Sequence, residues 1–325
     1  MNSQLSFKLH DSKSRNVSAW ARSLSKSMAL SLILGIYLLT LVFSWLEITI
    51  LLKTSLNPII ILLITDITAT LIIYLFSTLL DNASVYDPYW SVIPIPIMVF
   101  YWTFNPQWSN FTLQQVLTFI LVLLWGFRLT SNWVSYWSGF DFEDWRYRDF
   151  RAKNPKLFWL INLVGIQLVP TVIVFAGSLS LWPIFANPLD KSAGFTPTSS
   201  LLLITAIIGA IIMLGAISFE FFADRQMHRF LANPNNKGKT ISDGLWRYSR
   251  HPNYFGEVSF WWGMYIFGLS SNFHYWWTII GPIMMTLLFL FISIPMMEKH
   301  NLARRDDYWE YQRKTSKIVP WFPRK

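Results

Sequence analysis

The sequence predicts an all-α, polytopic integral membrane protein of about eight transmembrane helices, roughly seven to nine, with its N and C termini cytoplasmic. Three observations carry this. Of 325 residues, 53% are hydrophobic and only 14% charged, which leaves too little polar surface to cover a water-soluble chain of this size. Apolar stretches of about 20 residues, the length that crosses a hydrocarbon core, follow one another along the chain. The basic residues fall almost entirely on alternate connections between those stretches.

The spans are expected near 28–50, 56–80, 89–104, 112–133, 157–186, 200–222, 254–271 and 274–295. The run that begins at Met28 is too long for a signal-peptide core and lacks a small-residue exit, so it is expected to be retained. The third span is short and holds Pro94 and Pro96, which favour a tilt, a break or re-entry. The fifth is long and carries Pro170 and Pro183, which favour a kink. Four regions result: a cytoplasmic segment 1–27, N-terminal transmembrane helices 28–133, a cytoplasmic loop 134–156, and C-terminal helices with a cytoplasmic cofactor region over 157–325.

Charge asymmetry supports an even number of spans. With the N terminus inside, the cytoplasmic segments hold five Lys and Arg before the first span, five in 131–156, six in 223–253 and eight after 295. The outer loops hold only Lys53 and Lys191. The net charge of +9 is therefore a property of the cytoplasmic face, suited to anionic lipid or a phosphorylated cofactor, and no nucleic-acid module is needed to explain it. The chain has no cysteine, which excludes disulfides, thiol catalysis and Cys-ligated metals.

Several polar residues stand where lipid-length helices make them costly. Asp66 lies near the middle of the second span, where a carboxyl either faces a cavity or pairs with another helix. Asp87, before Pro88, either caps the third span or sits at a cavity edge. Arg128 closes the fourth span and either snorkels or turns inward to Asp66, Asp87 or an anionic ligand. The loop run Glu143 to Arg148, with Tyr147, either lies on the headgroups or roofs a cofactor site.

The C-terminal half carries the sharper pattern. At helical spacing Glu220, Asp224 and His228 form one stripe, with Arg225 and Arg229 beside it. Acceptors next to cations suit a nucleoside and its phosphates, and equally suit salt bridges within the helix. These offsets match no metal ligand set, so no metal is expected. The run from Gly244 to Glu257 places Arg247, Arg250 and His251 before a helix opened by Pro252, with Asn253, Glu257 and Trp261 following on one face. Beyond the last span, Glu298 and the aromatic-basic tail from Tyr308 to Pro323 are expected to fold back on the cytoplasmic face. No glycine-rich dinucleotide loop or Walker loop is present, so a nucleotide would lie between helix ends.

Five motifs resemble the DUF1295 family, which is related to the membrane steroid 5-alpha-reductases. They are Trp125-Gly126-Phe127-Arg128, Glu143-Asp144-x-Arg146-Tyr147, Glu220-x-x-Ala223-Asp224-x-Gln226, the run Gly244 to Glu257, and Tyr308 to Pro323. The resemblance implies NADPH in the cytoplasmic half of the bundle and reduction of a C=C bond conjugated to a carbonyl, in a sterol-like or isoprenoid lipid. Carried over, it implies Asp224 on the adenosine side and Asn253 and Glu257 toward the nicotinamide. Glu220, Arg229, Arg247, Arg250, His251, Tyr254 and Glu298 complete the expected cofactor set, with Asp87, Arg128 and Tyr147 as catalytic candidates. Where the reductases carry a tyrosine three residues before the arginine matched by Arg128, this chain has Trp125, which donates a hydrogen bond but no useful proton.

The Arg250-His251-Pro252-x-Tyr254 element and Glu298 also resemble the isoprenylcysteine carboxyl methyltransferases. The resemblance therefore leaves an S-adenosylmethionine-dependent methyltransferase as an alternative, beside a non-enzymatic protein that binds lipid or sterol. Expected partners are the bilayer and an apolar lipid-like substrate. The expected membrane is the endoplasmic reticulum in a eukaryote or the inner membrane in a bacterium.

Overall fold

The computed structural model describes residues 15–104, 112–186 and 199–324. Among them every regular element is helical. The basic residues at 8 and 13 and the outer-loop Lys191 lie outside the described residues. In chain order the helices are α1 (Arg15–Ser23), α2 (Lys26–Leu51), α3 (Pro58–Leu79), α4 (Tyr89–Val92), α5 (Pro94–Trp102), α6 (Leu113–Tyr136) and α7 (Trp145–Lys153). They continue as α8 (Phe158–Phe185), α9 (Ser199–Ala232), α10 (Pro252–Leu269), α11 (Phe273–Leu302) and α12 (Tyr308–Lys314).

Among the described residues six helices are long and apolar enough to cross a membrane: α2, α3, α6, α8, α9 and α11. Their outward faces are Leu, Ile, Val and Phe, and only 17% of the most apolar stretch of α9 is buried within the protein. Lipid is the solvent for such a surface, and the protein is an all-α integral membrane protein.

The two other expected spans are different. Segment 89–104 is broken into α4 and α5, because Pro94 cannot donate to the preceding turn and restarts the helix at its own first position. Segment 254–271 is the 18-residue α10, intact but largely buried, with Glu257 inside it. The fifth expected span is the continuous α8, which contains a π-helical stretch, Ile161–Leu168, ahead of Pro170.

Local chemistry sets the helix starts. Asn57 accepts from the Ile59 amide at 2.9 Å and Pro58 opens α3, where its missing N–H costs nothing. Asp144 caps α7 by accepting from the Arg146 amide at 2.8 Å. Pro252 opens α10, and Ser249 Oγ accepts from the His251 amide just outside it at 3.1 Å.

The chain forms two compact units. The first comprises the residues up to Trp90 with Thr130–Val172, and the second Ser91–Leu129 with Ile173 onward. In the first, α2 packs on α3, and Ala83, Tyr147, Phe158 and Ile166 form a small core beneath α7. In the second, α9 and α10 pack along much of their length through glycines that bring the backbones together. A Cβ on Gly209 would lie 2.6 Å from the Phe267 amide nitrogen, and one on Gly263 would lie 2.9 Å from the Met213 amide nitrogen.

This close approach makes a specific expectation. Gly209→Ala has no flexible side chain to displace and should lose about 1–3 kcal/mol by overpacking. Gly215→Ala, six residues along the same helix with nothing within 4 Å, should be neutral or slightly stabilising. Thermal melts of the two variants in detergent, followed by size-exclusion fluorescence, test it; equal midpoints would remove the packing role of Gly209.

Candidate functional site

The second unit gathers polar side chains from three helices. Arg128, near the end of α6, donates through Nη2 to Glu220 and through Nη1 to Asp224, both at 2.7 Å. The two acids are four residues apart on α9, so one turn of helix presents both to one guanidinium. Arg128 and Glu220 are largely shielded, with side-chain exposures of 10% and 4%. Asn253, in the first turn of α10, donates to the other oxygen of Asp224 at 3.4 Å. His228, one turn further along α9, lies within electrostatic reach of Asp224.

One turn into α10, Glu257 is held by two indoles. Trp261 Nε1 donates to Oε1 at 2.8 Å and Trp125 Nε1 donates to Oε2 at 3.0 Å. Trp125 stacks on Phe260, with ring centroids 4.8 Å apart and planes 4° off parallel, while Trp261 meets its edge at 5.3 Å. Glycines make room for this arrangement. A Cβ on Gly177 would strike the Trp261 ring at 2.3 Å, and one on Gly256 would strike Glu220 Cγ at the same distance. The carboxyls of Glu220 and Glu257 thereby lie within electrostatic reach of each other.

A separate set fastens the tail of the chain. Glu298 ion-pairs with Arg250 at 2.9 Å, meets His251 Nε2 at 3.3 Å and accepts from Gln312 of α12 at 2.9 Å. Arg250 also donates to the Gln312 carbonyl, and its amide donates to the Ser316 carbonyl at 2.9 Å. Tyr311 and Ser249 add bonds between the tail and 246–251, and the Trp321 amide donates to the Tyr248 carbonyl at 2.9 Å. Burial pushes His251 below its ordinary pKa, with Glu298 opposing. His251 stacks on Tyr254, which also meets Phe289 of α11.

In the first unit, Tyr147 on α7 donates to Asp87 at 2.6 Å. Burial pushes Asp87 up to about 7, with Asp144 adding to the rise and Arg146 opposing it. Burial likewise raises Tyr147 well above the usual phenol. Glu143 accepts from the Ala83 amide and Arg151, so the charged loop folds onto the 81–87 turn. Deeper in, Tyr89 donates to Asp66 at 2.7 Å.

Of the residues expected from the sequence, Arg128, Glu220, Asp224, Asn253 and Glu257 form one cluster. Arg250, His251, Tyr254 and Glu298 surround the fastening of the tail, and Arg229 and Arg247 are exposed. Asp87 and Tyr147 pair in the first unit. Two outcomes differ from expectation: the partners of Arg128 are the α9 acids, and Arg250, expected in the cofactor set, is buried against Glu298. Trp125 and Trp261 as carboxylate donors, and the Tyr89–Asp66 pair, were not singled out. The four-residue step from Glu257 to Trp261 is the one signal that could have shown the first of them. Among the described residues no group of three or more His, Asp and Glu could hold a metal.

An all-helical bundle with buried ion pairs, lipid-length helices and a helix-end polar cluster defines a polytopic membrane protein with an internal polar site. The chain belongs to the family described as protein of unknown function DUF1295, whose model matches residues 73–315. It is 22% identical over 279 residues to an uncharacterized protein of Schizosaccharomyces pombe, with 81% of this chain and 80% of that protein covered. No solved structure matches it.

Two expectations follow from the site. Arg128→Leu leaves two buried acids without their cation and should cost about 3–5 kcal/mol, whereas adding Glu220→Gln and Asp224→Asn should restore much of the loss. Thermal melts of the single and triple variants compare them, and identical midpoints would count against the ion-pair role. For Asp87, the folded protein keeps a proton that the unfolded chain releases near 4, so stability falls as pH rises from about 4 to 7 and levels above that. Asp87→Asn should flatten this segment of a melting-temperature profile; an unchanged slope would assign it to other groups.

Proposed function

We propose that the protein is an NADPH-dependent membrane oxidoreductase that reduces a C=C bond conjugated to a carbonyl in a sterol-like or isoprenoid lipid. The observation that carries the reading is the convergence of Arg128, Glu220, Asp224, Asn253 and Glu257 from three helices into one shielded cluster beside exposed cations. The residues suit the nucleotide. Arg128 Nε is enclosed and meets no protein partner among the described residues, a donor left over after both acids are satisfied. Each oxygen of Glu257 accepts one indole and keeps acceptor capacity for the amide hydrogens of a carboxamide. Asp224 with Asn253 offers an acceptor and a donor for ribose hydroxyls, and exposed Arg225, Arg229 and Arg247 supply charge for phosphates.

NADPH, when bound, supplies the hydride. In this reading Asn253 and Glu257 orient its nicotinamide end, and the apolar helices around them exclude water. Hydride addition leaves an enolate that takes up one proton to complete the reduction. Tyr147, the donor expected from the sequence, is kept protonated by burial and hydrogen-bonded to Asp87 within the first unit. The membrane would be that of the endoplasmic reticulum in a eukaryote or the inner membrane in a bacterium, with both termini cytoplasmic.

The test is incubation of the detergent-purified protein with NADPH and a lipid extract, read by mass spectrometry as a gain of two hydrogens. Glu257→Gln should weaken NADPH binding by roughly ten- to a hundredfold in a direct titration, since a charge-assisted bond is lost. An unchanged affinity would return Glu257 to a structural role, and a gain of one methyl with S-adenosylmethionine would replace the reductase reading.

A further inference from the structure

The first unit contains a second buried polar set that the reductase reading does not use. Asp66, in the middle of α3, is 2% exposed. Its Oδ1 accepts from Tyr89 Oη at 2.7 Å, and its main-chain carbonyl accepts from Thr70 at 2.9 Å. Thr70 Oγ1 meets Thr171 Oγ1 at 2.8 Å, and Thr171 meets Tyr86 Oη at 2.8 Å. Tyr89, Thr70, Thr171 and Tyr86 therefore engage one another or Asp66. The exception is Asp66 Oδ2, which is fully enclosed and meets no protein partner among the described residues; Thr65 Oγ1, one residue earlier, is in the same condition.

We propose that Asp66 and Tyr89 form a binding site for a hydroxyl group, with Asp66 Oδ2 as its contact. The chemistry narrows the ligand. An ionised Oδ2 needs a donor and a protonated one needs an acceptor, and a hydroxyl serves as either. A metal ion would need several more oxygens than this set supplies. The α3 residues on either side of Asp66 include buried Ile61, Leu62, Ala69 and Ile73, so the carbon body behind such a hydroxyl would meet apolar side chains. Water offers the same hydroxyl chemistry and is the other source. The proposal is independent of the nucleotide and stands or falls without it.

The full chain in nanodiscs without nucleotide is exposed to a diazirine-bearing long-chain alcohol and to its methyl ether. The expected result is photolabelling of residues 58–79 by the alcohol, reduced roughly tenfold or more for the ether, for Asp66→Leu and for Tyr89→Phe. Infrared difference spectra in oxygen-18 water, comparing the natural chain with Asp66→Asn, report the other source. A strongly bonded water band that disappears in Asp66→Asn supports the hydroxyl site with water as its occupant. Equal labelling by alcohol and ether, together with no such water band, overturns the proposal. Asp66→Asn and Tyr89→Phe keep the side-chain volumes, so a folded variant is at hand even where Asp66→Leu fails.

Discussion

A guanidinium in an apolar bundle must be matched where it stands, and Arg128 is matched twice. Two carboxylates one turn apart on α9 take both of its Nη groups, and the arrangement ties α6 to α9 at one level. Burying such a triad is not in itself a strong source of stability, because desolvation of three charges offsets much of their attraction. What it supplies is a fixed geometry, since any other register leaves a charge alone in lipid. Asn253 reaches Asp224 from α10, and the absent side chain at Gly256 lets Glu220 lie directly on the α10 backbone. Three helices are thereby brought to one point, and the site is built there.

The second constraint is the pair of indoles on Glu257. An indole N–H donates one hydrogen bond and accepts none, so Trp125 and Trp261 aim fixed dipoles at the carboxyl without offering it a proton path. A tyrosine in place of Trp125 would have placed an ionisable hydroxyl there. With the indoles, the carboxyl is oriented by donors that carry no ionisable hydroxyl. The first unit has two hydroxyl–carboxyl pairs, Tyr147–Asp87 and Tyr89–Asp66, each short and shielded.

Much of this was legible in the sequence because lipid allows so few solutions. Length and apolarity alone locate α2, α3, α6, α8, α9 and α11, and a helix is the structure that leaves no backbone group unsatisfied there. Pro252 and Ser249 mark the start of α10 through backbone chemistry that acts within a few residues. Residues four apart, such as Glu220 with Asp224 and Glu257 with Trp261, are also visible, since helical spacing places them on one face. The partner of Arg128 was not visible. Asp66, Asp87, Glu220 and Asp224 were all acids of suitable depth, and choosing among them requires knowing which helices touch. Helix contacts in α9 and α10 are decided by small residues such as Gly209, Gly256 and Gly263, whose spacing becomes meaningful only once the facing helix is known. The π-helical stretch of α8 escaped for a similar reason. Asn162 and Gln167 are five residues apart, off the ordinary helical step, yet the wider turn lets them bond to each other and to Ser77.

The run from Gly244 to Glu257 does two jobs that its compactness conceals. Its last part, Asn253 and Glu257, faces the Arg128 cluster. Its middle, Ser249 to His251, faces the tail, where Glu298, Gln312, Ser316 and Ile318 hold it by side chain and backbone. A phosphate-binding arginine needs an open guanidinium, and that of Arg250 is buried, paired with Glu298 and bonded to the Gln312 carbonyl. His251 and Glu298, which a methyltransferase reading would turn toward its cofactor, are likewise engaged with each other and closed over by α12. Displacing them would expose buried charge, at a cost comparable to breaking any shielded ion pair. Among the described residues, the exposed cations at the end of α9 and just ahead of α10 include Arg225, Arg229 and Arg247. A ligand recruited by those charges and by the Arg128 cluster together must be anionic at one end and must reach several residues along α9 and α10 to the other. An extended, phosphorylated cofactor meets that description better than a compact zwitterion, and this is the physical ground on which the dinucleotide reading rests.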